Sequence, residues 1–196
     1  MSRPREFDLD HVIDQAISVF WANGFHATSL DDLCDAMRLN RSSLYSTFGD
    51  KRTLFLRTMD RYGEREAARV RETLSRPVSV DRAVTQYFQE VVEQIASGSA
   101  RNGCLTGNAA AEVGIHDREV GMSVRRNLDR LEGAFRHALA QAKARAEISE
   151  HADISALARF FVAGAQGLRL IGKTTSNREA LEDIAEQIVR AIKCDN

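Results

Sequence analysis

Proline occurs only 2 times and cysteine 3 times in 196 residues, and no segment alternates polar and apolar residues with a period of two. Few prolines leave long stretches free to be helical, and the missing alternation and hairpin-turn chemistry exclude a recognisable sheet. Cys34, Cys104 and Cys194 are widely spaced, with neither zinc-ligand spacing nor a pairing pattern, so free thiols are expected. His116, His137 and His151 are scattered too, and no metal or cofactor is expected. No apolar run approaches the length needed to cross a bilayer, and the start MSRPREFD lacks a signal-peptide core. The expectation is therefore a cytoplasmic protein without a membrane partner. There is no Gly-rich phosphate loop, nucleophile motif or convincing carboxylate pair, so an enzyme is not expected. Nor is there a repeat or low-complexity tract. A net charge of −1 argues against indiscriminate coating of nucleic acid. It leaves open a specific reader, which needs only one basic face.

What is present is helical periodicity. Asp8 or Asp10 can cap a first helix that runs to Asn23-Gly24, with Val12, Ile13, Ala16, Ile17, Phe20 and Trp21 as its apolar stripe. A long helix from Lys51 towards Leu74 begins apolar and becomes strongly charged, as a helix connecting two bodies does, until Arg76-Pro77 breaks it. Further helices are expected from Ser79 to Ala96, Cys104 to Val113, Asp117 to Arg145, Ile154 to Ile171 and Arg178 to Ile192. The fold class is all-α, with about nine helices.

The richest stretch is Thr28 to Lys51, TSLDDLCDAMRLNRSSLYSTFGDK. Thr28 can cap a short helix carrying Leu30, Leu33 and Met37, with Asp31 at the capping-box position. Asn40 can cap a second helix, in which Leu44, Tyr45 and Phe48 pack inward and Arg41, Ser42, Ser43 and Ser46 remain outside. Polar side chains near the start of such a helix can meet base edges and phosphates. Arg41, Lys51 and Arg52, with Arg3 and Arg5, can form a basic docking face, while Asp10, Asp14, Asp31, Asp32 and Asp35 point elsewhere.

In these residues the chain resembles the TetR family, the tetracycline-repressor-like bacterial transcriptional regulators. The resemblance runs from Ala16, Phe20 and Gly24-Phe25 through Thr28-Ser29-Leu30 and Leu33. It continues in Leu39-Asn40-Arg41-Ser42-Ser43-Leu44-Tyr45, Phe48, Lys51 and Leu54, over about the first fifty-five residues. It implies a helix-turn-helix DNA-binding domain in 1–55, an effector-binding and dimerisation domain in 56–196, and a homodimer on double-stranded operator DNA. Carried over by position, it makes Arg41, Ser42, Ser43 and Ser46 groove contacts, Tyr45 and Lys51 phosphate contacts, and Thr28 a backbone contact. Arg38 stands where such regulators usually have glycine, so either it accepts a strained left-handed conformation or it adds a phosphate contact.

Cys104, in RNGCLTGN, falls at the predicted first turn of a helix beside Arg101, a setting that favours thiolate. The surrounding pattern looks like a subgroup of the family in which some members sense electrophiles or oxidants. The alternative is an inert small residue packed on the long connecting helix. An effector pocket is expected around Phe88, Val91, Val92, Asn108, Phe135 and Phe161, with His137 or Gln166 as polar anchor. Phe160, Ala163, Gly164, Gly167, Leu181, Ile184 and Ile188 are the expected dimer surface, a four-helix bundle built from two helices of each subunit. The expected function is a dimeric regulator, a repressor, released from a near-palindromic operator by a small-molecule effector or by modification of Cys104. The alternative is an all-helical adaptor that binds protein and no DNA.

Overall fold

The computed structural model describes residues 8–99, 101–175 and 177–192. Arg3, Arg5 and Cys194 lie outside them. Nine α-helices and no strand are present among the described residues. The first, α1 (Leu9–Ala27), starts from an Asp8 cap and buries Val12, Ile13, Ala16, Ile17 and Phe20. Its regular stretch ends at Asn23-Gly24 as expected, but the helix then resumes to Ala27. Gly24 interrupts it with φ +80°, and one further turn follows.

Helices α2 (Leu30–Met37) and α3 (Arg41–Phe48) form the helix-turn-helix. The capping box of α2 sits one residue later than the sequence suggested. The Ser29 hydroxyl accepts from the Asp32 N–H at 3.0 Å, and the Asp32 carboxylate accepts from the Ser29 N–H at 2.8 Å. Thr28 cannot cap because it is buried and its hydroxyl donates to the Gly24 carbonyl. Arg38 is left-handed, with φ 53° and ψ 39°, and it closes α2 through N–H bonds to Asp35 and Cys34. Asn40 caps α3, burying Leu44 and Phe48; Tyr45 is about half exposed rather than packed inward.

The connecting helix is α4 (Lys51–Leu74), followed by α5 (Val80–Ala96) and the short α6 (Leu105–Ala109). A π-helical turn, Ala110–Gly114, extends α6, and α7 (Arg118–Ala144), α8 (Ile154–Ile171) and α9 (Arg178–Arg190) complete the fold. By length and composition α8 could cross a membrane, contrary to the expectation that no run approaches that length. In the fold its Leu157, Phe161, Ala165 and Leu168 are buried among α5, α7 and α9, which makes it a core helix of the body.

Two apolar cores share α4. Leu54, Phe55, Met59 and Tyr62 join α1–α3, and this core also takes in Cys104, Leu105, Ala109, Val113, Val120 and Val124. Ala67, Val70 and Leu74 belong to the second core, with α5, α7, α8 and α9. Close packing of α4 on α7 requires Gly63, because a Cβ there would stand 1.9 Å from the Asn127 side chain. Asn127 is itself buried and donates to the Met59 carbonyl at 2.9 Å.

The left-handed Arg38 carries a strain that glycine would not. Arg38→Gly is expected to raise unfolding stability by roughly 0.5–1 kcal/mol, read as a higher urea midpoint at unchanged slope. An unchanged or lower midpoint would mean that Arg38 makes compensating contacts.

Candidate functional site

The polar side of α3 is open. Arg41, Ser42, Tyr45 and Ser46 are exposed, Ser43 is half-buried, and Leu44 and Phe48 anchor the helix from beneath. The Ser46 hydroxyl donates to the Ser43 carbonyl, and the Ser43 N–H is taken by the Asn40 cap. Arg41 forms a two-pronged pair with Asp31, at 2.8–3.0 Å, with both side chains exposed. Asp31 therefore stands against the reading helix rather than away from it as expected. An exposed pair of this kind contributes little to stability and is readily exchanged for another anion.

Lys51 and Arg52, expected on the same docking face, are occupied within the chain. Lys51 donates to the Thr28 carbonyl at 2.6 Å, and its ammonium lies 4.6 Å from the Phe25 ring centre. Thr28 and Lys51 thus brace the link between α1 and α2. Arg52 leaves the face altogether: it bonds Asp117 at 2.6 and 2.8 Å and Glu119 at 2.7 Å, tying the start of α4 to the start of α7. The Arg52 guanidinium, helped by the Val120 and Glu119 N–H groups, holds the Asp117 carboxyl down at about 2. Asp14 is likewise held below the usual carboxylate range, by Arg61 and Arg65.

Glu112, in the π-helical turn, makes a second connection. Its two carboxylate oxygens accept from the Phe25 N–H at 2.9 Å and the His26 N–H at 2.7 Å. The break at Gly24 deprives those N–H groups of helical partners, and Glu112 caps the resumed turn from a distant part of the chain. Gly24 is required twice, for its φ and because a Cβ would stand 2.7 Å from the Glu112 carboxylate. Sequence reading placed Asn23-Gly24 as a helix end and gave Glu112 no role. An acid far along the chain carries no local signal of its partner.

The expected effector residues separate into two groups. Phe88, Val91, Val92, Phe135 and Phe161 are buried in the second core, where the Phe161 ring meets Phe88 edge-on at 6.1 Å and Phe135 at a tilt at 5.5 Å. They act as core, although Phe88 and Val92 also border an open groove between α5 and α9. His137 is exposed on α7 and pairs with Gln141, so it cannot anchor a ligand among those rings. Cys104, Asn108 and Gln166, in contrast, converge on a surface cleft of about 650 Å³ that is closed on the other side by Trp21 and Gly24 of α1. Glu112 lines the same cleft. Cys104 is buried at the cap of α6, with the Tyr62 hydroxyl donating to its sulfur at 3.6 Å. Burial, with Cys104 and Glu66 nearby, pushes the Tyr62 phenol well up. Behind it, Arg169 is buried and bonds Tyr87 and Glu66.

Of the expected dimer surface, Leu181 and Ile188 are buried within the subunit. Gly164 receives the Ile188 side chain, and Ile184 packs partly into the same core. What remains open is a stripe along α8: Phe160, Ala163, Gly167 and, beyond those expected, Leu170.

Gly24→Ala should cost about 2 kcal/mol of unfolding stability, from φ strain and the displaced carboxylate together. A loss below about 0.5 kcal/mol in a urea titration would argue that Glu112 does not hold this turn. Because the Asp117 pKa is lowered, its contribution is complete above pH ~4 and fades as pH falls towards 2. The stability difference between wild type and Asp117→Asn should therefore shrink from pH 5 to pH 2.5. A difference independent of pH would remove Asp117 as its source.

Residues 12–58 match the family model of bacterial regulatory proteins of the tetR family, and residues 80–188 match the model of a tetracyclin repressor-like C-terminal domain. The HTH-type transcriptional regulator YezE of Bacillus subtilis (strain 168) is 39% identical over 184 residues, covering 93% of this chain and 95% of its own length. The HTH-type transcriptional repressor ComR of Escherichia coli (strain K12) is 31% identical over 189 residues, covering 96% and 90%. Among solved structures, a cysteine-substituted form of the TetR family regulator CifR, complexed with a 26-base-pair operator DNA, superposes with TM-score 0.86. It is 28% identical, over 97% of this chain and 100% of that one. The chain belongs to the TetR family, whose members are transcriptional regulators and not enzymes.

Proposed function

We propose that the protein is a dimeric repressor that reads a near-palindromic operator through α3, with residues 1–55 as the reading domain and 56–196 as the effector and dimerisation domain. The observation that carries this reading is the open polar side of α3, Arg41, Ser42, Ser43, Tyr45 and Ser46, seated on buried Leu44 and Phe48. The likeness to CifR, whose form above holds operator DNA, supports it. Arg41 exchanges Asp31 for a phosphate or base edge, Tyr45 braces a phosphate, and Thr28 and Lys51 hold the α1–α2 link that meets the backbone. Such a protein works in the cytoplasm, where the DNA is.

Two reading helices must lie roughly 34–36 Å apart to enter successive major grooves. The apolar stripe of α8 supports pairing of two copies through that helix, with α9 beside it. An effector, or modification of Cys104, favours a conformer with different spacing, and operator affinity falls by the differential free energy of the two states.

The double substitution Arg41→Ala/Tyr45→Phe should weaken binding to the intergenic DNA beside the gene by about 2 kcal/mol, on the order of thirtyfold, while leaving thermal unfolding unchanged. Undiminished affinity in a gel-shift titration at fixed salt would remove α3 as the reading helix.

A further inference from the structure

The buried unpaired polar atoms on the residues lining the Trp21–Gln166 cleft are both donors. Trp21 Nε1 and Gln166 Nε2, both on residues that line it, are buried without a hydrogen-bond partner. Native proteins leave few such donors unmet, and those that persist commonly await a ligand, water or ion. Arg101 and Lys173 stand exposed at the rim. Lys173 donates to the Asn108 side chain at 3.0 Å and keeps further N–H groups to give. Glu112 is the sole acid among the lining residues, and both its oxygens already accept backbone N–H bonds. Asn108 is likewise satisfied, donating to Asn102 and accepting from Lys173. Two buried unpaired donors and two exposed cations thus stand beside the apolar surfaces of Trp21 and Leu170, in a volume of about 650 Å³. That complement suits an acceptor-rich anion with an apolar body.

We propose that this cleft binds a small aromatic carboxylate, its charge towards Lys173 and Arg101 and its oxygens towards the Trp21 and Gln166 donors. The site lies between the reading head and the body, outside the packed aromatic core of the body. Its regulatory consequence rests on the repressor reading above. A second carboxylate in the cleft that Glu112 lines repels the Glu112 charge and favours the state in which Phe25 and His26 are released. By reciprocity, operator-bound protein holds the carboxylate less tightly.

Cys104 in the cleft wall reports on anion preference. Iodoacetate and iodoacetamide are close in size and differ in charge. With either, the thiolate sulfur attacks the CH₂ carbon, an S–C bond forms as the C–I bond breaks, iodide leaves with the electron pair, and the thiol proton passes to buffer. Peptide mass mapping of the full-length protein gives the rate at Cys104, with buried Cys34 as internal control and glutathione as the unbiased thiol. Cys104 should prefer iodoacetate at least fivefold more than glutathione does, and Lys173→Met and Gln166→Met should each move that ratio towards glutathione's. Benzoate should slow the Cys104 reaction and shift the fluorescence of the chain's single tryptophan, Trp21, both saturably, whereas benzyl alcohol should do neither.

A Cys104 ratio equal to that of glutathione, a ratio untouched by both substitutions, a Cys104 inert to both reagents, or a benzoate effect matched by benzyl alcohol would each overturn the proposal. The operator is then titrated with carboxymethylated and untreated protein. At least tenfold weaker binding is expected, and equal binding would overturn the regulatory consequence while leaving the anion site. Absence of operator binding by untreated protein would instead remove the repressor reading, leaving the labelling ratio to stand or fall on its own.

Discussion

One carboxylate links the fate of the reading head to the state of the body. Glu112 satisfies two N–H groups that a glycine break has stripped of helical partners, and it does so from 86 and 87 residues away in sequence. Without it, the last turn of α1 would have unmet donors beside the helix-turn-helix. The orientation of α2 and α3 follows from that turn, because Thr28 bonds back to Gly24 and Lys51 bonds back to Thr28. Arg52 adds a second tie, from the start of α4 to Asp117 and Glu119. The head is therefore positioned by charges belonging to the body.

The elements that local chemistry dictates were legible from sequence. Asn40, Ser79, Asp117 and the apolar spacing behind them located helix starts, because caps and helical periodicity act within a few residues, although the Ser79 hydroxyl makes no capping bond. Reading failed where the deciding partner was remote. Nothing near Gly24 announces that a helix resumes after it, since the cap for the resumed turn is Glu112. Thr28 and Ser29 offer equivalent caps, and the choice fell to Ser29 because tertiary packing buries Thr28. The aromatic residues expected to line a pocket illustrate a third kind of failure. A ring on a helix's inner face has the same spacing whether it bounds a cavity or fills one, so Phe88, Phe135 and Phe161 could be distinguished as core only once their mutual packing was known.

The interior polar cluster beside Cys104 belongs to the same design. Arg169 is buried, and although burial opposes its charge, Tyr87 and Glu66 more than offset that cost and keep it protonated. Tyr62 bonds Cys104, and Arg169 bonds Tyr87 and Glu66, two neighbouring polar groups within otherwise apolar packing. Such clusters have few alternative arrangements, so a change at one member is felt at the others rather than absorbed locally. Cys104 sits where this cluster meets the cleft.

The shared core of the head has a consequence for how the protein comes into being. Residues that pack against α1–α3 include Cys104, Leu105, Ala109, Val113, Val120 and Val124, which are made long after the helix-turn-helix itself. A growing chain that has exposed only its first sixty residues carries an open apolar surface where α6 and α7 will later lie. Domains commonly fold as units while synthesis proceeds, N-terminal part first. Here the early segment must wait for its own lid, so an unfinished or C-terminally truncated chain has an incompletely closed reading head. Closure of that core therefore waits on helices made late in synthesis.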